Sequence, residues 1–302
     1  MTYARLIVNP AAGAGKTARN WPQIRALLKQ IGMKFEHDIT EAPGHAIELV
    51  KNAVGKGYKL IISVGGDGTI NEVVNGLYIT GSLNDVAMGI IGTGTGDDYI
   101  RTIGVPRDYV QACERLMHPT QLIVDLGMVE HNINGQINKR LFVNFGGLGF
   151  DAEIVKATTT KYKSWGSLPS YLMGMLTTLV TYHNHEMSLE MDGVTEDRKV
   201  CTIIMSIGKY GGGSMFIAPD ADPADGLFDV VIIGDVSKPD LLYSLPRVYK
   251  GTHLTHPKIT VKLVKQVKVT CKTNLALQAD GELLGQSPAT FNVLPSALKL
   301  LI

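Results

Sequence analysis

Three short stretches place glycines, hydroxyls and carboxylates together at spacings that suit a polyphosphate. The first is Asn9-Pro10-Ala11-Ala12-Gly13-Ala14-Gly15-Lys16-Thr17. It nearly satisfies the phosphate-loop pattern G-x-x-x-x-G-K-[ST], but Pro10 stands at the first glycine and removes one backbone donor. Phosphate contact and a plain strand-to-helix turn set by Asn9-Pro10 both stay open for it. The second stretch, Gly65-Gly66-Asp67-Gly68-Thr69, follows the apolar run KLIISV and precedes Asn71 and Glu72. Its glycines let backbone approach phosphate, Thr69 can donate to it, and a helix starting there favours negative charge. A carboxylate beside phosphates needs a cation between them, so Asp67 points to Mg²⁺. The alternative is a tight turn with Asp or Thr capping a helix. The third stretch, Gly92-Thr93-Gly94-Thr95-Gly96-Asp97-Asp98-Tyr99, adds amide and hydroxyl donors and two aspartates suited to metal or ribose hydroxyls.

Positioning three such loops on one edge requires a parallel sheet. Residues 3–8 read as a buried strand and 16–31 as a helix with Trp21, Ile24, Leu27, Leu28 and Ile31 on one face. Strands near 33–39, 59–64 and 87–91 alternate with helices over 44–56 and 69–77. Each glycine loop then falls at a strand end, where ligands of open α/β sheets bind. After residue 122 the rhythm changes to short alternating or β-branched segments at 122–130, 140–146, 186–192, 199–207, 227–233, 259–264, 266–271, 275–279 and 289–293. That pattern predicts an antiparallel sandwich or barrel, with helical insertions at 152–182 and 238–250 and a final apolar strand at 298–302.

Composition narrows the classes. The chain has 302 residues, 29 Lys+Arg against 28 Asp+Glu, and 45% hydrophobic residues. It is too apolar for disorder, and a net charge of +1 excludes a broadly basic nucleic-acid binder. Thirty-three glycines without a three-residue period indicate turns and ligand loops rather than collagen. Cys113, Cys201 and Cys271 lie far apart and outside any CxxC, which disfavours disulfides and zinc. With no signal-peptide pattern and no apolar run of about 20 residues, a soluble, cytoplasmic protein without a transmembrane segment is expected.

At these residues the chain resembles the diacylglycerol kinase catalytic-domain family, and within it the bacterial soluble lipid kinases related to sphingosine and ceramide kinases. The likeness runs through NPAAGAGK (9–16), TEAPGHA (40–46), GGDGTINEVVNGL (65–77), GTGDDYIR (94–101), DLG (125–127), NFGGLGFDAEI (144–154), GGGSMFIAPDADPADGLFDVVII (211–233) and ADGE (279–282). GGDGT alone is shared with NAD kinases and phosphofructokinase-like folds; the later segments are specific. The resemblance implies a nucleotide-binding α/β domain (1–124 plus 295–302) and a β-sandwich domain (125–294), with the active site between them. It implies nucleotide contacts from Asn9, Lys16, Thr40, Gly66, Asp67, Gly68 and Thr69, joined by Thr95 and Asp98. It departs from the family pattern at Asp97, where asparagine is common, and at Gly92, where proline is frequent. The extra charge of Asp97 calls for an extra cation or a lysine nearby.

Phosphoryl transfer needs in-line positioning, cations on phosphate oxygens and a base for the acceptor hydroxyl. Asp280 and Glu282 of Ala279-Asp280-Gly281-Glu282 are the base candidates, and in an extended strand they would share a face. The same Asp-Gly is also a hairpin-turn signal, and it is the family likeness that adds catalysis. The acidic stretch 219–229 suits a hard cation. There the resemblance implies a structural Mg²⁺ held by the Asp225 side chain and by carbonyls near Asp222 and Leu227, with Asp125 linked through water. Leu168–Val180, including Met173, Met175 and Leu176, could line an acyl cleft, although core packing is the plainer reading. Lys156, Lys161 and Lys163 could meet anionic headgroups or be simple solvated surface.

The leading expectation is therefore an ATP- and Mg²⁺-dependent kinase acting on a hydroxyl of diacylglycerol or a related lipid at the membrane surface. An NAD kinase-like enzyme and a non-catalytic nucleotide-binding regulator are the alternatives. A homodimer is left open.

Overall fold

The computed structural model describes residues 3–161 and 167–302. Lys163 lies outside the described residues, as do the side chains of Lys161 and Leu168.

The N-terminal third alternates strand and helix: β1 (Ala4–Val8), α1 (Ala12–Gln30), β2 (Phe35–Ile39), α2 (His45–Gly55), β3 (Leu60–Gly65), α3 (Asp67–Ile79) and β4 (Ala87–Gly92). All four strands are parallel, in the order β2-β1-β3-β4. Every residue of β1 and β3 is buried because helices cover both faces of the sheet. Trp21, Ile24 and Leu28 of α1 pack under one face with Leu6, Val8 and Ile62. Val50 of α2 and Ile70, Val73 and Leu77 of α3 fill the other. Regular helix in α1 begins only near Lys16, since Gly13, Ala14 and Gly15 are left-handed. Two short helices not anticipated from periodicity follow: α4 (Asp98–Thr102) and α5 (Tyr109–Arg115).

The remainder is an antiparallel assembly: β5 (Gln121–Ile133), β6 (Gln136–Phe142), β7 (Phe145–Gly149), β8 (His185–Met191), β9 (Val194–Ser206), β10 (Phe228–Gly234), β11 (Ile259–Val264), β12 (Gln266–Cys271), β13 (Ala276–Ala279), β14 (Glu282–Gln286) and β15 (Ala289–Leu301). Helices α6 (Phe150–Lys161) and α7 (Ser167–Thr181) form the first insertion and α8 (Lys238–Val248) the second. The core of this half centres on Phe142, which stacks on Phe228 at 5.8 Å and meets Phe291 edge-on at 6.2 Å. Gly127 must be glycine here, because a Cβ would lie 2.1 Å from the Phe142 ring.

Three details differ from the sequence expectation. The segment expected as one strand over 140–146 is two, β6 and β7, interrupted at Val143-Asn144. Strand β14 was not expected. The expected strands at 289–293 and 298–302 are one strand, β15, with a register shift between Leu294 and Leu298. Its first part pairs with β12 and its last residues pair in parallel with β4, while β5 runs alongside throughout. These two long strands thus join the parallel sheet to the antiparallel one.

Candidate active site

The three glycine loops meet at the carboxyl ends of β1, β3 and β4. Asn9 donates from Nδ2 to Thr69 Oγ1 at 3.0 Å, and the Thr17 and Thr93 hydroxyls lie 2.5 Å apart. A Cβ on Gly13 would fall 2.4 Å from the Thr93 carbonyl, and one on Gly94 would fall 2.7 Å from the Gly66 Cα. The loops are therefore pressed backbone against backbone. The consecutive left-handed residues Gly13-Ala14-Gly15 make a tight turn in which the Gly15 amide donates to the Ala11 carbonyl at 3.2 Å. Thr40, at the end of β2, is buried beside this edge and its N–H donates to Val8 O. Lys16 and Gly68 are exposed at the starts of regular helix in α1 and of α3.

Asp67 does cap a helix, but not its own. Its Oδ1 accepts from the Tyr99 amide at 2.9 Å and Oδ2 from the Asp98 amide at 3.2 Å, at the start of α4. Asp98 in turn accepts from the amides of Gly213 (3.0 Å) and Ser214 (2.7 Å), tying the third loop to the loop after β9. Glu72 accepts from the Gly44 and Ala46 amides, which ties α3 to the turn that opens α2.

Asp97 adopts the left-handed conformation at φ 55°, one that Asn and Asp tolerate better than other side chains. An arginine rather than the expected lysine answers its charge: Arg107 lies 3.4 Å from Oδ2, while Oδ1 is buried without a hydrogen bond. Burial and the neighbouring Asp67 raise the pKa of both Asp97 and Asp98.

Asp280 and Gly281 do not extend the strand. Both have positive φ, 46° and 80°, as a two-residue type I′ hairpin between β13 and β14 requires. The shared-face expectation for Asp280 and Glu282 thus fails, since a turn replaces the alternation. Asp280 instead inserts at the β6–β7 break, where Oδ2 accepts from Val143 N (2.8 Å) and Asn71 Nδ2 (2.8 Å). Its Oδ1 accepts from Asn144 N (2.9 Å) and Phe145 N (3.1 Å). Burial pushes this carboxyl up to about 6 against the opposing pull of those donors.

Glu282 is held by Arg140 at 2.6 Å, and Arg140 also donates to Asn71 Oδ1 at 2.9 Å. Asn71 therefore touches one carboxylate directly and the other through an arginine. Asn75, one turn along α3, fixes Asn71 and accepts from the Leu141 amide.

In the acidic stretch, Asp125 is buried and accepts from Gly226 N and Ser296 N, both at 2.6 Å. Asp222 and Asp225 accept from Ala224 N and Leu227 N, two residues on in each case. Burial, then Asp222 and Asp125, raise the Asp225 pKa, and similar causes bring Asp229 to about 6. Among the described residues no three Asp, Glu, His or Cys side chains converge as a ready ligand set. A cation would need carbonyl, water or phosphate oxygens as well, which is how Mg²⁺ is usually held. The crowded carboxylates at Asp67, Asp97 and Asp98, and those around Asp225, fit a cation in that incomplete sense.

A cavity of about 610 Å³ is lined by Asp67, Thr95, Gly96, Asp98 and Asp280 together with apolar side chains. Its apolar lining includes Phe150, Ile154, Met175, Ile233, Leu241 and Leu245 from α6, α7, β10 and α8. Of the helix residues expected to line a cleft, Met175 does, whereas Leu176 is exposed and Met173 half-buried. Lys156 pairs with Glu153 at 3.2 Å. Asp151 also lines it, accepting from Thr202 Oγ1 (2.5 Å) and Gln278 Nε2 (2.9 Å), its pKa raised by burial. A Cβ on Gly147 would fall 2.4 Å from this carboxylate. Sequence reasoning missed Arg140, Asn75, Arg107 and Asp151. Asp151 lies in a quoted motif, but nothing in its spacing marks it as cavity-lining.

Fold and site thus define a two-domain α/β and β-sandwich protein with phosphate-type loops over an apolar cavity. The diacylglycerol kinase catalytic domain matches residues 3–129, and the YegS C-terminal NAD kinase beta sandwich-like domain matches residues 146–302. The diacylglycerol kinase of Bacillus subtilis (strain 168) is 30% identical over 293 residues, 96% of this chain and 93% of that one. That of Staphylococcus carnosus (strain TM300) is 29% identical, with coverage of 95% and 91%. A crystal structure of a diacylglycerol kinase from Bacillus anthracis str. Sterne shares the fold with a TM-score of 0.73 at 21% identity, covering 99% and 96% of the two chains. Yeast NADH kinase complexed with NADH is more distant, with a TM-score of 0.54 at 10% identity and coverage of 99% and 82%. The chain belongs to the diacylglycerol kinase catalytic-domain family, and its architecture is the one shared with NAD kinases. Among the described residues no helix is long and apolar enough to cross a membrane.

Proposed function

We propose that the protein transfers the γ-phosphoryl group of ATP to a hydroxyl of diacylglycerol or a related lipid. The observation that carries this reading is that one cavity is lined both by Asp67, Thr95 and Asp280 and by a group of apolar side chains. An apolar lining of this kind suits an acyl chain better than a second nucleotide, which favours a lipid over NAD as acceptor. Residues 1–124 with 295–302 would form the nucleotide half and 125–294 the acceptor half.

In this reading Asn9, Lys16, Thr40, Gly66, Gly68, Thr69 and Thr95 surround the phosphates and ribose. Asp67 and Asp98 hold the third loop closed and face the cation. Mg²⁺, when bound, neutralises phosphate charge, and a second, structural ion would rest on Asp225 with carbonyls at Asp222 and Leu227, near Asp125. Glu282 is the base that takes the proton from the acceptor hydroxyl. Only one of its oxygens is engaged by Arg140, whereas Asp280 already accepts from four donors. Asp280 positions the turn that presents Glu282. In this reading Asp97 is seated by Arg107.

The test is incubation with labelled ATP, Mg²⁺ and a total lipid extract, with the product identified by mass spectrometry. A phosphorylated lipid that disappears with Asp67→Ala is expected. Phosphorylation of NAD and of no lipid would overturn the proposal.

A further inference from the structure

Helix α8 carries two apolar stripes where a helix packed on a globular core normally carries one. Leu241, Ser244, Leu245 and Val248 recur at i, i+3, i+4 and i+7 and line the cavity. Pro239, Leu242, Tyr243 and Pro246 recur at the same spacing on the opposite side and are exposed. Leu242 is 53% and Tyr243 75% accessible, and Tyr249 just beyond the helix is 53% accessible. Val180, 71% accessible at the end of α7, lies beside the start of α8, where Lys238 donates from Nζ to the Val180 carbonyl. Basic side chains frame the stripe: Lys238 at one end, Lys250 at the other, and Arg247 at 5.7 Å from the Tyr243 ring. The helix's one acidic residue, Asp240, is turned back into the capping box with Ser237.

Exposed Leu and Tyr framed by Lys and Arg on a short helix match what partitions into the headgroup region of an anionic bilayer. A second copy of the chain is a poorer occupant, since its Lys238, Arg247 and Lys250 would face their own like charges. We propose that the outer face of α8, with Val180, docks the protein on a lipid surface bearing anionic headgroups. The helix would then lie in the interface plane with the cavity directly beneath it. An acceptor lipid would cross only the width of one helix, about 10 Å, to reach the apolar lining of the cavity. The proposal rests on the lipid-kinase reading for its purpose but not for its measurement.

Vesicles of phosphatidylcholine with a minority of phosphatidylglycerol are sedimented with the wild-type protein and with the double variant Leu242→Ser/Tyr243→Ser, neither position lining the cavity. Binding of the wild type to the anionic vesicles, its loss from vesicles of phosphatidylcholine alone, and a drop of about tenfold or more in the variant are expected. Equal thermal midpoints check that the variant is folded. With a short-chain diacylglycerol dispersed in water the variant should turn over as the wild type does, and with vesicle-embedded diacylglycerol it should be slower. Equal vesicle binding by the two proteins, or a concentration-dependent dimer in ultracentrifugation that the variant abolishes, would overturn the docking assignment. Absence of product from both lipid forms would instead overturn the lipid-kinase reading, leaving sedimentation to decide the docking face.

Discussion

Asp280 and Glu282 can be separated by one pair of substitutions. In Asp280→Asn the side chain keeps one acceptor oxygen and gains an NH₂ group. Two of the four donors that now meet the carboxylate, from Val143, Asn144, Phe145 and Asn71, would then face another donor. Each buried donor left unpaired costs about 1–3 kcal/mol. The loss is partly offset, because the amide escapes the burial cost that lifts the carboxyl to about 6. A net loss near the lower end, about 2 kcal/mol, corresponds to a fall of about 3 °C in Tm for a chain of 302 residues. Glu282→Gln removes only a partly exposed ion pair with Arg140, a pair of a kind contributing about 0–1 kcal/mol. If Glu282 is the base, however, that substitution removes about 10²–10⁴-fold from kcat. Calorimetric melting and turnover of labelled ATP on the identified lipid, run on both variants, give the comparison. Glu282→Gln should be nearly as stable as wild type and nearly inactive, and Asp280→Asn should be less stable with residual activity. If Asp280→Asn melts with the wild type and is inert while Glu282→Gln stays within about tenfold of full rate, the roles are reversed and the hydrogen-bond argument is wrong.

Other expectations follow from neighbouring contacts. Gly94→Ala places a Cβ 2.7 Å from the Gly66 backbone, so it should force the second and third loops apart and raise the KM for ATP more than it lowers Tm. Asp98→Ala releases the amides of Gly213 and Ser214, and hydrogen exchange at those two residues should accelerate while β3 stays protected. His253 is buried against the Ile217 carbonyl and burial lowers its pKa, so below about pH 6.5 the unfolded chain binds the proton more readily than the folded one. Stability should therefore decline as pH falls through that value, and His253→Gln should reduce the slope by at most about 1.4 kcal/mol per pH unit. An unchanged Tm–pH slope in that variant would show that His253 protonates equally well in both states.

Local rules made the parallel half legible. The β-branched runs at 4–8 and 60–65, the helix stripe of Trp21, Ile24 and Leu28, and the glycine loops between them all have their causes within a few residues of themselves. Asp280-Gly281 was likewise readable as a turn. Arg140 was not, because its strand alternates weakly and its partners Asn71 and Glu282 are 69 and 142 positions away. The break at Val143-Asn144 escaped for a related reason: an aspartate far along the chain takes the amides that a continuous strand would have used. Helix α4 was hidden by its length, five residues, and by having its cap supplied from Asp67 in another loop.

Strand β15 is the last described element of the chain, yet Leu298 and Leu300 belong to the core of the first half and the strand covers the open side of β4. A growing polypeptide would therefore hold β4 with bare amides and carbonyls until nearly every other strand has been made. The N-terminal sheet cannot be finished early and set aside, as independent domains often are. Its completion is contemporaneous with that of the sandwich, so the nascent protein is exposed to edge-to-edge association for most of its synthesis, and its two halves should melt together rather than in sequence.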